Sequence, residues 1–314
     1  MFEKLFERGG LSVDRLHALI LLADEGSLIR AAKGDSGLQS RYSHYLKELS
    51  AYFGVELTER VGKTIRLTAS GERLVRLTRE HFQNLLRFRD EIQGRAPSFR
   101  LGAGDSLLQS LVIPEIAALR RPSGNVRFVL QNLGPEEIAS RLADQRLDFG
   151  LVAIDASLKG LTTKSVCRVR QLIVVPDQIG SRRGMLTLSQ ALLDCPHAGL
   201  IGQSNLQHSL EEIARSLGGH YEPELQCDSV SQCVAAVQTG RFAAVLPLWS
   251  WDTGTPLPHA ICEDPMLDKL DRELALVWNP RLMKTRGSAA KQAAEALASR
   301  ITEKWGRTTE QHRN

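Results

Sequence analysis

Residues 36–49, "SGLQSRYSHYLKEL", decide how this chain reads. Leu38, Tyr42, Leu46 and Leu49 recur at helical spacing and give one apolar stripe. The other side offers Gln39, Ser40, Arg41, Ser43, His44 and Lys47, of which only Arg41 and Lys47 are firmly charged. Such a face suits hydrogen bonding to base edges. Gln can pair with adenine through two bonds, Arg and Lys favour guanine, and Ser accepts several partners. A purely basic face would hold phosphates without selecting a sequence.

The flanking residues support this. "VDRLHALILLAD", residues 13–24, places Val13, Leu16, Leu19, Ile20 and Ala23 on one face of a first helix. Gly26 closes it and Ser27 can cap a short second helix, "LIRAAKG". "GDSG", residues 34–37, is a compact turn, and Ser36 or Gly37 can cap the third helix, which stops at Gly54. This is a helix-turn-helix, whose last helix enters the major groove of double-stranded DNA. "VELTE" and "TIRLT" then read as a hairpin with "RVGK" between them, a wing that puts Arg60, Lys63 and Arg66 within reach of the DNA backbone. A long helix follows from residue 69 to about 93. Leu74, Thr78, His81, Leu85, Phe88 and Ile92 alternate at steps of four and three, the seam of a coiled coil between two copies. "GRAPS", residues 94–98, reads as a linker.

Beyond it, strands alternate with helices, the rhythm of an α/β domain. "FRLGAG", "VRFVLQN", "LDFGLVAI", "RQLIVVPD", "HAGLIGQ", "FAAVLPLW" and "RELALVWNP" are the expected strands, and "GSAAKQAAEALASRITEKW" a terminal helix. Three segments result: a winged helix-turn-helix over 1–68, a dimerisation helix and hinge over 69–97, and an α/β domain over 98–314.

Composition narrows the function. The 314 residues are 42% hydrophobic, enough for two or three cores. The apolar run "LHALILLA" is far too short to cross a bilayer, and "MFEKLFERGG" lacks the features of a signal peptide, so a cytoplasmic protein is expected. Residues 1–97 carry 16 Lys and Arg against 13 Asp and Glu, so most of the net +4 lies at the N-terminal end. The five cysteines show no C-x-x-C pair. "VGKT" lacks the earlier Gly of a phosphate-binding loop, "LGAG" lacks a third Gly, and neither H-E-x-x-H nor G-x-S-x-G occurs. The sequence points to no enzyme, no metal and no cofactor.

"GSLIRAAKG", Gln39, Ser43, Leu46, Leu49, "FGVELTER" and "IRLTASGE", in this order, resemble the LysR-type transcriptional regulators. "VQTGRFAAVLP" resembles a stretch of that family's effector domain. The chain departs from the usual pattern at Asp35, Leu38, Ser50 and Thr58, where the family usually has Leu, Ser, Glu and Phe. The resemblance implies that residues 98–314 form a periplasmic-binding-protein-like fold of two α/β subdomains, with a small effector between them. Gly104, Asp105 and Ser106 at one strand-to-helix turn, Asn132 and Gly134 at the next, and Gln203, Ser204 and Asn205 from the other subdomain are the candidate contacts. An anionic effector would suit such helix starts, although the charge of Asp105 opposes one. The family also implies a dimer or tetramer on a two-fold-related operator. The alternatives are a ligand-binding protein with a degenerate DNA-binding head, motivated by Asp35, Leu38 and Ser50, and a thiol-based regulator using Cys195, or Cys227 with Cys233.

Overall fold

The structure is a computed structural model that describes residues 2–62, 64–119, 126–154, 158–180, 186–201, 205–251, 259–262 and 264–306. It divides into two units, residues 1–95 and 96–314.

In the first unit, α1 (Val13–Glu25) starts at Ser12, whose hydroxyl accepts from the Arg15 amide, and ends at Gly26 in the left-handed region. The second helix, α2, is only Leu28–Ala31. The third, α3, runs Ser36–Phe53 and stops at Gly54, φ 67°. Its cap corrects the sequence reading. Neither Ser36 nor Gly37 caps it; the Asp35 carboxylate accepts from the Leu38 amide at 2.9 Å. Strands β1 (Thr58–Val61) and β2 (Thr64–Leu67) pair antiparallel as the wing. Helix α4 spans Ala69–Ile92 from a cap at Thr68. Leu19, Leu22, Leu28, Leu46, Leu49, Leu57 and Val75 form the core of this unit. Gly71 in the first turn of α4 is required by close approach: a Cβ there would lie 2.1 Å from the Leu57 carbonyl oxygen.

The long helix α4 lies within the first unit, and the second unit starts at Ala96. The seam also divides. Thr78 is buried, and Leu74 is partly buried against the core of the first unit. His81, Leu85, Phe88 and Ile92 remain exposed. The first half of the helix obeys its own domain's core, which also uses a 3.6-residue rhythm.

The second unit has two lobes. Its elements run in order β3 (Ser98–Ala103), α5 (Asp105–Leu107), a π turn over Leu108–Val112, α6 (Ile113–Leu119), β4 (Arg127–Asn132), α7 (Pro135–Ala143), β5 (Phe149–Ala153) and β6 (Thr162–Val169). The second lobe then holds β7 (Gln171–Pro176), α8 (Asp177–Gly180), α9 (Leu188–Leu193), β8 (Ala198–Leu200), α10 (Asn205–Ser216), β9 (Leu225–Cys227), α11 (Val230–Gln238), β10 (Ala244–Pro247), α12 (Leu248–Trp251) and β11 (His259–Cys262). A 3-10 turn over Pro265–Leu270 leads back to the first lobe through β12 (Arg272–Trp278) and α13 (Pro280–Ile301).

The first lobe's sheet has the order β4-β3-β5-β12-β6. Strand β3 is parallel to β4 and β5, and β12 is antiparallel to β5 and β6. In the second lobe β7 lies between β10 and β11, and β8 pairs parallel with β9. A bridge from His197 to Ala243 joins the two pieces. The chain thus crosses between lobes twice, at Val169 to Gln171 and at Leu270 to Arg272. The fold class is as expected. Strands β6, β9 and β11 were not expected; α13 breaks at Gly287, φ 57° and ψ −143°, where the expected terminal helix starts, and an additional helical stretch from Pro280 precedes it.

Candidate DNA-reading helix and effector cleft

Helix α3 turns Tyr42, Leu46 and Leu49 to the core. Ser40, Arg41, His44 and Lys47 are exposed, and Gln39 and Ser43 half-buried. All six expected reading residues therefore lie on one helix outside the core. Two departures from the family pattern acquire roles. Asp35 is the helix cap, worth about 1 kcal/mol for such a residue. Ser50 is buried and its hydroxyl accepts from the Leu57 amide at 3.2 Å, which fixes the chain leaving the helix. Leu38 is half-buried and is not part of the core cluster.

One cation near this face escaped the sequence reading. Arg15 Nε reaches Glu48 Oε2 at 2.6 Å, and its guanidinium stacks over Tyr45 at 5.5 Å. That hydrogen bond lowers the Glu48 carboxyl below the ordinary carboxylate range and raises Arg15. Glu48 Oε1 also lies 3.5 Å from His44 Nε2, so His44 has a neighbour on its own helix. Thirty-three residues separate Arg15 from Glu48, and no local pattern reveals such a pair.

In the wing, Arg60 and Arg66 are exposed. Arg60 stands opposite Ile65, and Arg66 opposite Glu59, so the two arginines project from opposite faces of the hairpin. Lys63 lies outside the described residues.

In the second unit, Gly104, Asp105 and Ser106 follow β3, while Asn132 ends the adjacent parallel strand β4 and Gly134 follows it. The topology brings these two groups side by side, since Ala103 pairs with Asn132. Asn132 and Gly134 are exposed. Gln203 and Ser204 lie outside the described residues, and Asn205 opens α10. At the turn where an anion was expected beside Ser106, a carboxylate of the chain itself is present. The helical stretch that starts at Asp105 runs on through the π turn into α6, and its first turn already holds the Asp105 carboxylate. Asp105 Oδ2 accepts from Gln109 Nε2 at 3.0 Å and from the Ser231 hydroxyl, in the other lobe, at 3.4 Å. Sequence reasoning missed Ser231, which only the fold brings to Asp105. It also missed a cavity of about 330 Å³ lined by Ala153 and Ile154 of the first lobe, Leu206 and Ser209 of the second, and the returning segment Lys269–Glu273.

All five cysteines are buried. Cys227 and Cys233 do not share a helix: the first ends β9, the second sits in α11, and their side chains meet. Burial pushes the Cys167 thiol up to about 12, and burial with the neighbouring Cys227 pushes Cys233 up to about 12. The thiolate is the reactive form, so this environment disfavours reaction at Cys167 and Cys233. Among the described residues, no group of three or more His, Cys, Asp or Glu is arranged to hold a metal, and no helix is long and apolar enough to cross a membrane.

Residues 13–72 match the family model described as a bacterial regulatory helix-turn-helix protein of the lysR family, and residues 93–302 match the LysR substrate binding domain. The chain belongs to the LysR family of transcriptional regulators. As a LysR-family protein it is a DNA-binding transcription regulator with an effector-binding domain. It is 26% identical over 148 residues to the HTH-type transcriptional regulator YfiE of Escherichia coli, covering 45% of this chain and 49% of that relative. It is 22% identical over 276 residues to a probable nitrogen assimilation transcriptional activator of Synechococcus elongatus, covering 85% of this chain and 88% of that one. A full-length OxyR variant from Pseudomonas aeruginosa shares the fold with a TM-score of 0.64 at 20% identity, covering 93% of this LysR-family chain and 94% of that one.

Proposed function

We propose that this regulator reads a two-fold-related operator through Gln39, Ser40, Arg41, Ser43, His44 and Lys47, with Arg60, Lys63 and Arg66 of the wing on the phosphates. The observation that carries this is the exposed polar side of α3, held on a helix whose cap and opposite face are fixed by Asp35 and the core. Two copies pair along His81, Leu85, Phe88 and Ile92, which are exposed on α4. Two recognition helices then address half-sites about one helical turn, or a multiple of it, apart. The protein works in the cytoplasm as a regulator rather than as an enzyme.

A small molecule between the lobes of the second unit controls the DNA-binding heads by preferring one arrangement of the lobes over another. Gly104, Ser106 and Asn132 at the ends of β3 and β4, with Asn205 at the start of α10, border the region where it binds. The degenerate-head reading loses support from Asp35 and Ser50, since each performs a stabilising contact in an intact helix-turn-helix.

The test is a mobility-shift assay on DNA flanking the protein's own gene, across a salt series. A preference for one fragment that persists over random competitor at each salt concentration supports the reading. Equal binding to all fragments removes it.

A further inference from the structure

Asp105 opens α5 in the first lobe, and Ser231 lies in the first turn of α11 in the second. They are 126 residues apart, yet the Ser231 hydroxyl donates to Asp105 Oδ2 at 3.4 Å. Gln109, one turn further along, donates to the same oxygen at 3.0 Å and holds the carboxylate from its own side. Both Asp105 and Ser231 are partly shielded from solvent. Among the described residues, no Lys or Arg pairs with Asp105.

The start of α11 explains why a carboxylate rests there. Its cap, Ser229, accepts from the Gln232 amide, which leaves the amides of Val230 and Ser231 without a partner inside the helix. The nine-residue helix also presents the positive end of its dipole at this point. A negative charge supplied by the other lobe is favoured in that position, and the chain supplies one itself.

We propose that Asp105 is a built-in strut between the lobes. Its carboxylate takes the place at the first turn of α11 that an anionic ligand would take, and so biases the second unit towards a closed cleft before any effector arrives. An acidic effector must displace this strut, whereas a neutral or cationic one can bind with the strut in place. This goes beyond the regulator reading and does not depend on the protein's operator.

Hydrogen exchange read by mass spectrometry tests it on the full chain, with neither ligand nor DNA added. Asp105→Ala and Ser231→Ala should each speed exchange about three- to tenfold in residues 104–112 and 230–238, because each removes the same link. Asp105→Asn, which keeps an acceptor but loses the charge, should fall between. The double variant should exchange no faster than Asp105→Ala alone. Unchanged exchange in both segments for Ser231→Ala and Asp105→Ala overturns the strut. So does a double variant whose effect is the product of the two singles. If Asp105→Ala fails to fold, Ser231→Ala and Asp105→Asn decide by the same two segments. Loss of operator binding would leave this result untouched.

Discussion

Arg79 Nη2 lies 2.6 Å from Asp24 Oδ1, and this contact ties the long helix α4 to the first helix of the same unit. Arg79 is nearly buried, while Asp24 is more than a third exposed, so solvent screens part of the attraction. Replacing Asp24 with Asn should cost about 1 kcal/mol, and removing Arg79 should cost more, because its buried stem packs as well. Urea denaturation of the two single variants and the double would measure the coupling. Fully additive effects would show that the pair contributes nothing as a pair.

Asp35 caps the DNA-reading helix, so Asp35→Ala should destabilise the first unit by about 1 kcal/mol, and Asp35→Ser by much less. Operator affinity should fall in parallel, since the first turn of α3 frays. Equal stability of the Ala variant and the parent would show that the cap is idle.

Gln39→Ala should lose about 1–3 kcal/mol of discrimination against the wrong base, with little change in salt dependence. Lys47→Ala should instead weaken binding to all sequences and reduce the salt slope by about one. Competition binding at several salt concentrations separates the two effects. A changed salt slope for Gln39→Ala would place that side chain on the backbone instead.

Much of this architecture was legible in the sequence. The order of helix, turn, helix, wing and long helix could be read because each piece announces itself locally, through Gly26, Gly54 and the flexible Gly62 of the wing. Thr78 turned out buried because a coiled-coil seam and a core-facing stripe look alike over two turns. Strands β9 and β11 were missed because three or four residues carry too little pattern. Ser231 was missed for a different reason. Its role comes from Asp105, and only the closing of two lobes brings them together.

His197 is almost fully buried in the second lobe, where its Nε2 lies 2.8 Å from the Ala191 carbonyl oxygen and its Nδ1 has no partner. Burial holds its ring below the ordinary imidazole range. The unfolded chain takes up a proton that the folded one refuses. This contribution to stability is therefore present above the ordinary imidazole pKa of about 6.5 and is lost as pH falls below it. Between that pH and the folded pKa the loss approaches about 1.4 kcal/mol per pH unit. His197→Gln, which keeps a donor for Ala191, should flatten the fall. Denaturation midpoints of parent and variant from pH 7.5 to 5 would reveal the difference. Parallel curves would assign the acid sensitivity elsewhere.

The two crossings between the lobes are neighbours in one sheet. Strand β6 leaves the first lobe at Val169, directly opposite Arg272, where β12 returns. Asp271 clasps both paths, with Oδ2 3.2 Å from Arg168 Nε and Oδ1 accepting from the Gln171 amide at 3.3 Å. Connections that lie side by side leave the lobes one easy degree of freedom, a swing about the line through the paired strands. Sliding and separation would have to break the pairing. The contact between Asp105 and Ser231 joins the lobes through α5 and α11, outside the crossing strands, and so acts on the swing rather than on the pairing.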